Sequence, residues 1–206
     1  MPALPAAARP AVLADLRARI AAPRVFGGSL AAELPELEAW VGGWPQPGVS
    51  EIVGPVGSGR LGLLLPTLAA LTRQGRPVLI VDAMEELYPP GLAGPKGLQL
   101  SELWVVRPGL ERAAWVAEQA AAAGSLAAVV LLDAPRLGRA GVRLGRACER
   151  GGSSLFVVAE ESEVSLPAAL RLEVVGQSAG RVRVRCVRSR NGRQVGERSV
   201  RLATSG

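Results

Sequence analysis

The segment Ser50-Glu51-Ile52-Val53-Gly54-Pro55-Val56-Gly57-Ser58-Gly59-Arg60-Leu61 decides the fold. It runs from an apolar strand through a glycine-rich turn into an apolar helix, the layout of a phosphate-binding loop, GxxxxGK[ST]. In such a loop backbone N–H groups wrap the phosphates, a Lys reaches the β- and γ-phosphates, and a hydroxyl holds Mg²⁺. Here Gly54, Gly57, Ser58 and Gly59 keep the turn, but Arg60 stands in the Lys position and Leu61 in the hydroxyl position. Leucine cannot ligate a metal. The turn is kept while the hydrolytic groups are replaced, which points to a fold retained for binding.

Outward from the loop, strand and helix patterns alternate. Strands are expected at 49–53, 77–81, 103–106, 127–132 and 155–159, with helices at 60–74, 110–123 and 142–150. Near-continuous apolar strands separated by helices predict a parallel sheet covered on both faces. After Glu163 the texture changes: 170–175, 182–188 and 198–202 read as an antiparallel meander with turns at 176–180 and Asn191-Gly192. Arg181, Arg183 and Arg185 alternate with Val182, Val184 and Cys186, a half-buried strand. Its Arg face is either plainly solvated or a contact for DNA.

The head of the chain stands apart. Val12, Leu13, Leu16 and Ile20 recur at helical spacing up to Pro23, Arg24-Val25-Phe26 reads as an extended arm, and Leu34, Leu37 and Val41 mark a second short helix. This divides the chain into an N-terminal helix and arm, 1–47, and a core, 48–206.

Composition excludes several classes. A length of 206 residues suits one α/β domain. The formal charge of +6 would suggest an anionic partner. However, Lys96 is the only lysine and Asn191 the only asparagine, so the arginine excess follows a compositional bias. Histidine is absent, which removes Ser-His, Cys-His and His-metal chemistry; no metal site is expected. Cys148 and Cys186 lack ligand spacing and read as buried thiols in a cytoplasmic protein. The first residues do not resemble a signal peptide, and the apolar runs at 61–71 and 126–132 are too short to span a bilayer. Among the tryptophans, Trp104 and Trp115 are expected in the core and Trp44, between Gly43 and Pro45, at an interface.

Asp133, closing the apolar run Val129–Leu132, is the candidate Walker-B acid. Asp82 closes the neighbouring strand and is followed by Ala83-Met84, with Glu85 and Glu86 next, so Glu85 is a candidate shifted carboxylate. Losing one charge-stabilising group costs on the order of 10²–10³ in rate. No catalytic residue is therefore expected. The degenerate nucleotide site would comprise Gly54, Gly57, Ser58, Gly59, Arg60 and Asp133, with no cofactor, or weak ATP or ADP binding at most.

Taken in order and spacing, several stretches resemble the RecA family. They are Gly48-Val-Ser-Glu-Ile-Val-Gly-Pro, Leu79-Ile-Val-Asp-Ala-Met, Leu87-Tyr-Pro-Pro, Glu118-Gln-Ala and Arg183-Val-Arg-Cys-Val-Arg-Ser-Arg190. Gly75-Arg-Pro-Val, Trp104-Val-Val-Arg-Pro and Pro167-Ala-Ala-Leu-Arg-Leu extend the likeness to the ImuA (SulA-like) family of bacterial mutagenesis cassettes. The resemblance implies a RecA-like P-loop core, with a mostly parallel sheet flanked by helices and a C-terminal antiparallel β extension. It also implies a non-catalytic adaptor in DNA-damage-induced (SOS) mutagenesis and translesion synthesis. That adaptor would bind RecA, capping or weakening its filament, together with an ImuB-like Y-family protein and an error-prone DnaE-type polymerase.

Carried over by position, Met84 stands at the RecA catalytic Glu and Glu161 at its nucleotide-sensing Gln. Arg188 and Arg190 match the basic pair that reaches a neighbouring subunit. Val12, Leu16, Ile20, Val25 and Phe26 occupy the place of the polymerisation segment. The gaps 135–141 and 161–167 are too short for the DNA-binding loops, so DNA binding is expected to be weak or indirect. Two alternatives are a residual ATP-binding or ATPase switch using Arg60, Asp133 and Glu85, and a SulA-like division inhibitor acting on FtsZ.

Overall fold

The computed structural model describes residues 28–93, 97–133, 136–190 and 195–202. Val12, Leu16, Ile20, Val25 and Phe26 lie outside them, as does the Asn191-Gly192 turn. The described chain opens with a ribbon of β1 (Gly28–Leu30) against β2 (Trp44–Gln46), joined through helix α1 (Pro35–Val41). Strand β3 (Gly48–Val53) then enters the main sheet and leads into the glycine-rich loop.

The helix expected at 60–74 divides. Leu61–Leu63 is a single 3₁₀ turn, and the α-helix α2 spans Leu65–Arg73 with Pro66 in its first turn. Proline has no N–H to continue the ladder and clashes with the preceding turn, so the α-helix starts where proline is tolerated. Beyond it come β4 (Val78–Asp82), β5 (Leu103–Val106), helix α3 (Leu110–Ala122), β6 (Ala128–Leu132), helix α4 (Arg139–Gly151) and β7 (Ser154–Ala159). The chain closes with β8 (Leu170–Ser178), β9 (Arg181–Ser189) and β10 (Gly196–Arg201).

Eight strands form one sheet in the order β10-β9-β8-β3-β7-β6-β4-β5. β8 through β5 run parallel, and β9 and β10 continue antiparallel beyond β8. Because successive side chains point to opposite faces, Val78 and Ile80 pack with α1, α2 and the ribbon, whereas Leu79 and Val81 pack against α3 and α4. That double burial is why the strands read as unbroken apolar runs. Helices α3 and α4 approach closely. Ala113, Ala117 and Ala121 are buried at four-residue spacing, and a methyl group at Gly151 would lie 2.0 Å from the Ala121 carbonyl oxygen.

Trp104 is partly buried against the α3–α4 side of the core, as expected, but the other two tryptophan expectations invert. Trp44 is fully buried, edge-on to Phe156 with ring centroids 5.3 Å apart, and its Nε1–H donates to Thr67 Oγ1 at 2.8 Å. Flanking glycine and proline suggested a surface turn, but β2 lies beneath the sheet's end and aims the indole inward. Trp115 is 58 % exposed on the outer face of α3. Leu30, Leu34, Leu37, Trp40 and Trp44 share one apolar cluster with Ile52 and Leu172, so the described part of the head packs on the same core as the sheet.

Candidate functional site

β3 delivers the loop to the C-terminal edge of the sheet. Gly54 N–H donates to the Ala159 carbonyl at 3.2 Å, prolonging the β3–β7 pairing, and Ser58 N–H closes a turn on Pro55 O at 3.1 Å. Gly59, at φ 89°, has two reasons to be glycine. The left-handed backbone disfavours a Cβ, and a methyl group there would lie 2.8 Å from Val182 Cγ1. Val182 and Leu202 of the C-terminal extension thus press on the loop from the far side.

Arg60 does not point out to meet a phosphate. It is 6 % exposed, and its guanidinium donates to Gly54 O at 3.0 Å and to Asp133 Oδ1 at 2.5 Å. The structure therefore brings Arg60, Gly54 and Asp133 together, but by joining the two charged groups to each other. Arg60, at the Lys position of the loop pattern, is held by the carboxylate that closes β6. Asp133 itself sits at φ 47°, fixed by its N–H to Val158 O at 2.9 Å. Burial lifts its carboxyl above the ordinary aspartate range, Arg60 opposes that shift, and the charges of Glu86 and Glu160 add to it.

Around this pair the remaining carboxylates have other work. Asp82 accepts the N–H groups of Glu86 and Leu87 at 3.2 and 3.1 Å and pairs with Arg107 Nε at 3.1 Å. It is a loop anchor. Glu85 is exposed, with its backbone at φ 61°, and is not among the residues lining the cavity beside Asp133, whereas Met84 and Glu86 are.

That cavity, about 550 Å³, opens above the C-terminal ends of β3, β6 and β7. Its apolar surface comes from Val56, Met84, Leu137, Val157 and Val164. Glu86, Asp133, Glu160, Glu161 and Glu163 line it, with Asp133 already paired to Arg60 and Arg136 3.7 Å from Glu161. Such a field repels phosphate. Glu163 is also a structural knot: it accepts N–H from Leu137, Gly138 and Ser165 and the Ser165 hydroxyl. The Ser165 hydroxyl contributes most to holding its carboxyl below the ordinary range.

Arg188 and Arg190 are exposed and do not meet the loop. Arg190 borders a hollow of about 230 Å³ with Pro47 and Gly48, at the opposite end of β3. The arginine strand is neutralised within the molecule. Arg181 pairs with Glu36 at 2.9 Å, Arg185 with Glu173 at 2.9 Å, and Arg183 with Glu197 at 3.8 Å.

One feature of the site escaped the sequence reading. Glu51, fully buried in β3, is ion-paired with Arg171 across the strand register and accepts from Ser162 Oγ at 3.0 Å and Glu163 N–H at 2.7 Å. The available signal was a lone charge inside an apolar strand, since a buried carboxylate requires a partner.

Among the described residues no helix is long and apolar enough to cross a membrane. No protein-family model matches the chain. RecA of Treponema denticola is 33 % identical over 92 residues, 44 % of this chain and 22 % of that protein. RecA of Borrelia hermsii is 33 % identical over 92 residues, 44 % and 26 % respectively. RecA of Thioalkalivibrio sulfidiphilus is 34 % identical over 105 residues, 50 % and 29 %. The chain thus spans little more than a quarter of the relatives it matches. Sheet, loop and partial matches together make this a RecA-like α/β fold.

Proposed function

We propose that this chain is a nucleotide-independent, non-catalytic RecA-like adaptor of SOS mutagenesis, working in the cytoplasm. Its partners on this reading are RecA, an ImuB-like Y-family protein and an error-prone DnaE-type polymerase. The observation that carries it is the Arg60–Asp133 pair. A buried guanidinium already satisfied by Gly54 O and a carboxylate offers phosphate no free cation. Moreover, Leu61 supplies no hydroxyl for Mg²⁺, and the cavity beside Asp133 is lined by carboxylates. The pair does within the protein what a bound nucleotide and its metal do in an ATPase: it ties the loop to β6.

Exposed apolar groups favour a role in protein contacts. Val106 on the edge strand β5, Leu110 and Trp115 on α3, and Tyr88 on the loop tied to β5 through Arg107 are 38–72 % exposed. Exposed tryptophan and tyrosine are the residues that anchor interfaces. The second reading, a residual nucleotide switch, is favoured by the retained turn, with Gly54, Gly57 and Gly59 all at positive φ.

Two experiments separate these readings. Titration of the full chain with ATP and Mg²⁺ is expected to give no saturable binding; saturation below about 1 mM would establish the switch. A RecA pulldown, with and without ATP and single-stranded DNA, is expected to retain the chain and to lose it when residues 1–30 are deleted. No retention in any state would sink the RecA-directed role.

A further inference from the structure

The two ends of β3 carry opposite charge. Beyond its C-terminal end lies the acidic cavity, whereas its N-terminal end opens on the hollow of about 230 Å³ that Arg190 borders. Arg190 is fixed there by its N–H, which donates to the Ala169 carbonyl at 2.7 Å, and Ala169 N–H in turn donates to Val49 O at 2.8 Å. Arg146 lines the same hollow from α4, and Arg150 stands one helical turn further along that face. All three arginines are exposed. Unlike Arg181, Arg183 and Arg185, they make no ion pair among the described residues. The acid on the rim is Glu149.

Between these cations the surface is apolar. Pro47 and Pro167 are exposed, and Val142 is 45 % exposed. Gly145 sets the shape: a methyl group there would lie 2.8 Å from Pro167 Cγ, so a residue without a side chain lets α4 and Pro167 approach. The volume admits one or two side chains rather than a folded element. No aromatic ring is among the lining residues, so a nucleic-acid base finds no platform on which to stack. Apolar walls beside unpaired guanidinium groups match an extended acidic peptide that carries an apolar side chain. Acids at alternate positions of an extended segment lie roughly 7 Å apart, close to the roughly 6 Å between one-turn neighbours such as Arg146 and Arg150.

We infer that this hollow is a docking site for an extended acidic segment of a partner protein. Arg146, Arg150 and Arg190 hold its carboxylates, and Pro47, Val142 and Pro167 receive one apolar side chain. The site lies at the opposite end of β3 from the glycine-rich loop, so its occupancy does not depend on nucleotide. Nor does it require RecA to be the partner.

Fluorescence anisotropy with the full chain tests it, using a labelled peptide in which one leucine is flanked on both sides by aspartates. Saturable binding is expected at low salt, weakened by screening at roughly 0.5 M. R146E/R190E, at two exposed positions, should lower the affinity about tenfold. Val142→Glu should lower it about fivefold, and so should a probe with alanine in place of leucine, an arm that leaves the protein unaltered. No binding to wild type, or equal affinity for wild type and both variants, would overturn the proposal. An oligothymidylate that binds through the same arginines more tightly than the peptide would overturn it in favour of a nucleic-acid contact. Self-association of the wild type that R146E/R190E abolishes would overturn it in favour of docking between copies.

Discussion

Asp133→Ala removes the carboxylate that holds the Arg60 guanidinium and leaves that cation buried against Gly54 O alone. Breaking a buried ion pair by deleting one partner costs about 3–5 kcal/mol. The Asp133 side chain is 21 % exposed, so some water reaches the site and the lower end, about 3 kcal/mol, applies. For a chain of this size that corresponds to a fall in Tm of about 6–12 °C. Urea unfolding followed by tryptophan fluorescence measures it directly. The companion variant is R60L/D133L, which replaces both charges by apolar groups of similar reach. Because it strands no charge, it should recover more than half of the loss, and the cycle of single and double variants gives the coupling. A loss below about 0.5 kcal/mol for Asp133→Ala would refute the idea that the pair ties the loop to the sheet. So would a double variant as unstable as the sum of the singles.

Trp44→Ala should cost about 3–5 kcal/mol, as for other buried aromatics, whereas Trp115→Ala should stay within about 0.5 kcal/mol in the same urea assay. Glu163 has a folded pKa below its ordinary 4.5, so its contribution to stability is present above that value and is lost as pH falls through the folded pKa. Glu163→Gln is expected to lower stability at pH 7 by about 1 kcal/mol and to flatten the acid limb of a pH–Tm curve. Asp133, raised mainly by burial, contributes with the opposite sign over the interval above its ordinary value. The Cys148 thiol is pushed up to about 12 by burial, so a thiol reagent at pH 8 should label it only after urea is added.

Periodicity made the alternating strands and helices legible because both sheet faces are buried: Leu79 and Ile80 face opposite layers, and neither could be polar. The loop was legible because Gly54 and Gly59 have backbone conformations that other residues resist. Where Arg60 would turn was not. A cation after a glycine turn reads as a phosphate contact, and only the fold shows a carboxylate within 2.5 Å. The Trp44 assignment failed for a related reason, since Gly43 and Pro45 describe the local chain but not which layer covers it. The partners of Glu51 were unreadable because they come from elements distant in sequence.

That last arrangement bears on how the protein is made. β3 emerges early from the ribosome, but its neighbours in the sheet are β7 and β8, and the charge buried at its centre has no counterion until Arg171 has been synthesised. Until then β3 is an apolar strand with two open edges and a carboxylate that resists burial, a species prone to wrong pairing. Seating β8 is therefore expected both to cover that edge of β3 and to neutralise Glu51. Chains cut short before Arg171 should be degraded or aggregate rather than persist as a folded N-terminal half.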